Sequence, residues 1–498
     1  MEGILSGLGP PMGFTTLDYT ILLVYLVAVA LLGVVMGGRQ RTAKDYFLGK
    51  DTIPWWIVCF SIVAAETSAL TFISIPGLAY VTNLSFLQLA AGYLLGRIVV
   101  SAVLLPAYFA GELSTAYAFL ESRFGISTRR AASVVFLGTR LAADGVRLFA
   151  TAIPLQLLLG LDYPVVILVL AFVAFLYTFA GGVRGVIWVD AAQMFIYLGG
   201  AILAIIVLGS EAPAGLPGLL RSAAEGGKLT VFDTSFGPGF FQRPYTLLAG
   251  LVGGAFLSMA SHGTDQLIIQ RVLTTKGLGP SRRALIGSGV IVIMQFTVFL
   301  LVGVLLYALH GGASVADLGL TRADEIFPSY IIRSFPPGVK GFVIAGLIAA
   351  ALSTLAGSIS SMASSTMLDL IKPIVGSRLT PASEMRLSRA ITALAALLLV
   401  GAALFFMTTA RSVVELALSI ASFTYGGLLG TFLLGALFRK PLQRHALVAF
   451  GAGIVVMITV ISFSVVAWTW YTVIGVAATV IVGLTATILF PGDRPLAS

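Results

Sequence analysis

Apolar stretches of about 20 residues recur from one end of this chain to the other, and they restrict its fold more than any other feature. A stretch of that length crosses the ~30 Å hydrocarbon core of a bilayer as a helix, which satisfies its own backbone groups in lipid. Thirteen such stretches are expected, at about 17–37, 54–79, 83–108, 131–158, 163–180, 186–208, 244–268, 284–309, 338–366, 388–408, 412–437, 445–465 and 468–490. Composition agrees: 58% of the 498 residues are hydrophobic and only 10% charged, against about 25% charged in a soluble domain. The 55 glycines, many inside the apolar stretches, allow close helix packing. The chain is therefore expected to be an all-α polytopic membrane protein whose immediate partner is the lipid bilayer.

Charge placement orients the chain. The net charge of +9 reads as a topology signal rather than a nucleic-acid surface, so no nucleic-acid partner is expected. With the N-terminus outside, inner loops and tail carry 20 basic residues, among them Arg39, Lys50, Arg129, Arg271, Arg386 and Arg494. Outer loops carry 7: Arg221, Lys228, Arg243, Arg322, Arg333, Lys340 and Arg411. That asymmetry predicts N-terminus out and C-terminus in, in the cell (plasma or inner) membrane. No signal peptide is read in the first 16 residues, and the single Cys59 allows no intrachain disulfide. Two amphipathic segments, "LTRADEIFPSYI" outside and "GELSTAYAFLESRFG" inside, are expected to form short helices on the two surfaces.

Polar residues inside spans mark function because they are costly in lipid. The charged ones are Glu66, Arg97, Arg140, Asp144, Arg147, Asp190 and Asp265. Span 2 carries Glu66-Thr67-Ser68 near its middle and is expected either to unwind near 65–68, freeing carbonyls, or to continue with its hydroxyls bonded back to the helix. Span 7 is weakened by Gly253-Gly254 and Gly263, and its inner half is polar at Ser258, Ser261, His262, Thr264, Asp265 and Gln266. Two interrupted helices five spans apart are the pattern of an inverted-repeat secondary transporter with a site near the midplane. Span 9 is rich in small residues, and Ala350, Ser353 and Thr354 offer oxygen ligands suited to a hard monovalent cation, or simply pack.

Four segments in order resemble the sodium/solute symporter family, whose members carry sugars, proline, sialic acid, vitamins, monocarboxylates and iodide. They are "AAETSALTFISIPG", "GGVRGVIWVDAAQ", "GTDQLIIQRVL" and "AAALSTLAGSISSMASSTMLDL". The resemblance implies the leucine-transporter type of fold, a 5+5 inverted-repeat core of spans 2–6 and 7–11. Residues 54–208 and 244–437 are then the two halves, 209–243 the outer loop between them, and 1–53 and 438–498 extra terminal segments. It implies sodium as the coupling ion, no other cofactor, and a sodium site from carbonyls of Ala64, Thr67 and Ala350 with hydroxyls of Ser353 and Thr354. Some members bind a second sodium through an Asp matched by Asp190 and two serines; here the serine positions are Ala356 and Gly357, so one sodium is expected and Asp190 is assigned to ordering the inner end of span 6. Sugar carriers have Gln at the position of Thr71 and a Tyr-Trp pair at Ser261-His262, and these departures argue against a sugar.

Candidates for holding a small-molecule substrate are Glu66, Thr71, Phe72, Arg97, Arg147, Ser258, Ser261, His262, Asp265 and Tyr425. Arg140, Asp144 and Arg147 share a helical face; either the charges neutralise one another or Arg147 meets a substrate carboxylate through its bidentate fork. The alternatives are a proton-coupled carrier using Glu66 or Asp265, or a sugar or amino-acid symporter. A channel would need repeated pore residues, and an enzyme a nucleophile–base pair or metal cluster, so neither is expected.

Overall fold

The computed structural model describes residues 14–49, 53–111, 113–375, 378–407, 413–463 and 466–491, without the side chains of 157–159 and 413–423; among these residues every regular element is helical. Lys50, Arg411 and Arg494 of the charge count lie outside the described residues. Each expected apolar stretch coincides with a helix or a pair of half-helices. Eight described helices are long and apolar enough to cross a membrane, nine when one bent pair is counted as a single span. Four differences separate this count from thirteen: spans 5 and 6 form one helix, Tyr163–Glu211, span 4 is rich in charge, span 7 is broken, and span 11 is described with its side chains only over Thr424–Leu437. Gly182 divides spans 5 and 6 with φ 57°, a left-handed kink that favours glycine, and a Cβ there would lie 2.7 Å from the Tyr46 carbonyl oxygen.

Span 9 (Val339–Ser365) is buried along almost its whole length and forms the centre of the bundle. It packs along the helix of spans 5 and 6 and touches both halves of span 2. Span 1 (Thr16–Gly37), span 12 (Gln443–Phe463) and span 13 (Tyr471–Leu489) are the least buried, with apolar outer faces suited to lipid. The two amphipathic segments are helical at Ile326–Ser334 and Ala118–Phe124. The first of these packs against the second half of span 2, where Gly77 leaves room for the Ala323 backbone.

Span 2 is Trp55–Glu66 followed by Ala69–Val81, bent by 67° between them. Thr67 is extended, with φ −84° and ψ 110°, and Ser68 caps the second half by accepting from the Thr71 N–H at 3.4 Å. Span 7 begins with a π-helical turn at Ala249–Gly253, runs as Gly254–Gly263, breaks at Thr264-Asp265 and resumes as Gln266–Val272. Asp265 caps the second half by accepting from the Leu267 N–H at 2.9 Å. In both spans a side chain next to the break supplies the terminal hydrogen bond that the interrupted backbone lost.

Candidate functional site

The break in span 2 frees backbone oxygens at the face met by span 9. The Ser68 N–H turns to Thr71 Oγ1 at 3.4 Å, so the Ala64 carbonyl lacks its helical i+4 donor. Thr354 Oγ1 lies 3.4 Å from the Thr67 carbonyl oxygen and 3.2 Å from that of Ala350, and thus joins the two helices. Ala64, Thr67, Ala350, Ser353 and Thr354 are all buried. The Ser353 hydroxyl donates to Asp190 Oδ1 at 2.7 Å.

Asp190 is fully buried and paired with Arg271, whose Nη2 donates to its Oδ2 at 2.8 Å. Ser61 donates to the same oxygen at 2.7 Å and accepts from Arg271 Nε at 2.9 Å. This cluster ties spans 2, 6, 7 and 9 together. Gly357 makes room for it: a Cβ there would sit 2.6 Å from Arg271 Nη2. Arg271 counts in the sequence as an inner-loop charge, and its burial was not legible from spacing.

The substrate candidates do not converge on one pocket; they divide into separate groups. Glu66 pairs with Arg97, and His262 Nε2 lies 3.6 Å from the same carboxylate oxygen. Arg97 also donates to Ser288 on span 8 at 2.8 Å, and Ser261 bonds His262 Nδ1 at 2.8 Å. Ser258 is buried on the same helix and packs closely against Gly96 of span 3. A second group centres on span 4. Asp144 pairs with Arg147 at 2.8 Å and Arg140 at 3.3 Å and accepts from Ser358; Arg140 also pairs with Asp265, and Tyr425 donates to Asp265 at 3.1 Å. Two arginines therefore face two aspartates: Asp265, arriving from span 7, balances the positive charge that Asp144 alone leaves on span 4. Phe72 belongs to neither group: it is fully buried and packs on Phe299 and Phe327 as core. Thr71 serves the cap of span 2.

Two cavities flank the span 4 group. One is lined by Ser68, Ala69, Asp144, Arg147, Thr151 and Thr354 among others, beside the freed carbonyls. The other is lined by Phe136, Arg140, Arg147, Asp265 and Tyr425 among others. Arg147 is the one residue that lines both, and at 26% exposure its side chain is the most open of the span 4 charges.

Some buried polar residues escaped the sequence reading. Gln295 on span 8 bonds Thr67 at the span 2 break, and Tyr197 on span 6 bonds Gln295. The signal for Gln295 was a lone amide in the apolar run "IVIMQFTVFL"; Tyr197 gave none, because an aromatic in an apolar span reads as core. Asp369, beyond the end of span 9, is buried and bonded to Thr115, Arg129 and Ser365 near the helix Ala118–Phe124. Among the described residues no group of three or more His, Cys, Asp or Glu is arranged to hold a metal ion, so a cation here would rest on neutral oxygens.

Known proteins share this fold. A sodium/sialic acid symporter of Proteus mirabilis is 26% identical over 491 residues, covering 97% of both chains. One of Aliivibrio fischeri is 28% identical over 488 residues, covering 96% of this chain and 94% of its own. The solved structure of a sodium-coupled sialic acid symporter, substrate-bound and outward-open, superposes with a TM-score of 0.87 at 26% identity over 97% of this chain and all of the other. The profile of the sodium:solute symporter family matches residues 46–453. This polytopic chain, with its broken second span facing an oxygen-rich ninth, belongs to the sodium:solute symporter family.

Proposed function

We propose that the chain imports a small carboxylate-bearing solute together with one sodium ion, by alternating access. Sodium is the coupling ion of the family. We place it between spans 2 and 9, on the carbonyls of Ala64, Thr67 and Ala350 and the hydroxyls of Ser353 and Thr354. What supports this is the Thr354 hydroxyl reaching both the Thr67 and Ala350 carbonyls across the break. A single ion suits the chain because Arg271 already neutralises Asp190.

The observation that carries the substrate class is Arg147 at the junction of two cavities, with the N-terminal end of the second half of span 2 beside it at Ser68 and Ala69. A helix N-terminus and a guanidinium both favour an anion. Two bacterial relatives are named for sialic acid, an acidic sugar. The departures at Thr71, Ser261 and His262 that argued against a sugar line neither cavity, so they do not weigh against an acidic one. Glu66, Arg97 and His262 hold one another and do not line these cavities, so their proposed role is structural.

In the proposed cycle sodium enters from outside and draws span 9 onto the span 2 break. The adjoining cavity then accepts the carboxylate at Arg147, and opening on the inner side follows. Sodium drives the cycle only if it binds the outward or occluded state more tightly than the inward one. In topology the proposal keeps N-terminus out and C-terminus in across the cell membrane, residues 54–208 and 244–437 as inverted halves, and no enzymatic step.

Sodium-dependent uptake into proteoliposomes across a panel of carboxylates, acidic sugars, neutral sugars and amino acids tests the proposal. Arg147→Gln should abolish uptake of the anionic solute and leave sodium binding in place. Uptake of only neutral solutes, or unchanged uptake by Arg147→Gln, would refute the carboxylate assignment.

A further inference from the structure

The break in span 2 is held from a side that the sodium reading does not use. Thr67, its extended residue, donates its hydroxyl proton to the Val63 carbonyl at 2.8 Å. The same hydroxyl oxygen accepts from Gln295 Nε2 at 2.7 Å. Gln295 Oε1 accepts in turn from the Tyr197 hydroxyl at 2.8 Å, and that hydroxyl lies 3.2 Å from Thr67 Oγ1. All three side chains are buried. Gln295 stands on span 8 and Tyr197 on span 6, so two helices grip the side chain of the residue whose backbone carbonyl meets Thr354 of span 9.

With its side chain pinned at two points and its N–H bonded to the Val63 carbonyl at 3.1 Å, Thr67 retains little freedom to turn its carbonyl. A buried amide is expensive to keep unless it is fully bonded, and in the apolar run of span 8 a leucine would pack as well. We propose that Gln295 and Tyr197 are positioning residues that aim the Thr67 carbonyl at span 9 and so set the affinity for sodium. This rests on the sodium site assigned above. The ligands exist without the clamp, but the clamp arranges them before the ion arrives, and a preorganised site loses less freedom on binding.

Sodium titration of the purified full-length chain, read by calorimetry and by sodium-dependent melting with potassium as control, tests this. Gln295→Leu should raise the half-saturating sodium concentration about five- to tenfold, the loss expected for one buried hydrogen bond. Tyr197→Phe, which keeps the ring and removes only the hydroxyl, should raise it about two- to fivefold by the same reasoning. Thr67→Val combined with Gln295→Leu should be no worse for sodium than Thr67→Val alone, because the clamp acts through that hydroxyl. Ser353→Ala with Thr354→Ala should abolish the response. If Gln295→Leu and Tyr197→Phe lower the melting temperature yet bind sodium at the unaltered concentration, while the Ser353 and Thr354 pair loses it, the clamp is wrong and the site stands. If the Ser353 and Thr354 pair still binds sodium normally, the site fails and the clamp with it.

Discussion

Replacing Gly357 with alanine tests whether the buried ion pair beneath span 9 supports sodium binding. The added methyl would stand 2.6 Å from Arg271 Nη2 and 3.2 Å from Nη1, where contact at 3.4 Å or more is ordinary. The guanidinium cannot simply swing aside: Nε donates to Ser61 at 2.9 Å, Nη2 to Asp190 at 2.8 Å and Nη1 to the Leu267 carbonyl at 2.6 Å. Relief by small shifts of packed groups costs about 1–3 kcal/mol. Loss of the pair, which would leave Asp190 buried and uncompensated, costs about 3–5 kcal/mol. Asp190 also orients the Ser353 hydroxyl at 2.7 Å, so its displacement should weaken sodium binding, by about tenfold for each 1.4 kcal/mol carried to the site. The assay is melting of the purified protein with and without sodium, paired with a sodium titration. Gly357→Ala should melt lower and need more sodium, and Gly357→Val should be worse. An alanine variant with unaltered melting and unaltered sodium response would show that Arg271 is not held as described, and the reasoning would fall.

Asp144→Asn leaves two arginines facing one aspartate and should destabilise the fold by about 3–5 kcal/mol; adding Arg147→Gln should restore most of the melting temperature but not anion uptake, which separates the balancing of charge from substrate binding. Gly182→Ala forces a left-handed backbone on a residue with a side chain and brings Cβ to 2.7 Å from the Tyr46 carbonyl, so the fold should lose about 1–3 kcal/mol, read as a lower melting temperature. Burial, and next the Arg333 charge, push the His310 imidazole at the C-terminal end of span 8 below its ordinary range. Above about pH 6.5 the ring is neutral folded or unfolded; as pH falls below that, the unfolded chain gains a proton that the fold resists, so stability drops on acidification. His310→Gln should flatten that slope below about pH 6.5, and a slope identical to the parent chain's would exclude this histidine as its source.

The bundle was legible because its cause is local. Twenty apolar residues make a span wherever they stand, and Glu66-Thr67-Ser68 marks where span 2 can break, although the residues alone left an intact helix equally open. The breaks fall at Thr67-Ser68 and Thr264-Asp265, inside the stretches expected. Partnership between helices was less legible, because spacing along one helix says nothing about what another brings to it. Arg147 looked surplus until Asp265 arrived from span 7 to take Arg140. Phe72, seven residues from Ala65, reads as pocket lining on the chain but points into core against Phe299 and Phe327. Arg271 was counted as a loop charge because it follows an apolar run, yet a short half-helix carries it back into the bundle.

Four sets of buried charges are compensated: Glu66 with Arg97, Asp190 with Arg271, Asp144 and Asp265 with Arg140 and Arg147, and Asp369 with Arg129. A compensated set that moves as a body displaces almost no net charge through the membrane's electric field, where each uncompensated charge would feel about 2.3 kcal/mol per 100 mV. Voltage then acts on the cargo rather than on the protein. One sodium with a neutral solute carries a current, whereas one sodium with a monoanion carries none, so an electrode alone distinguishes the two classes of substrate.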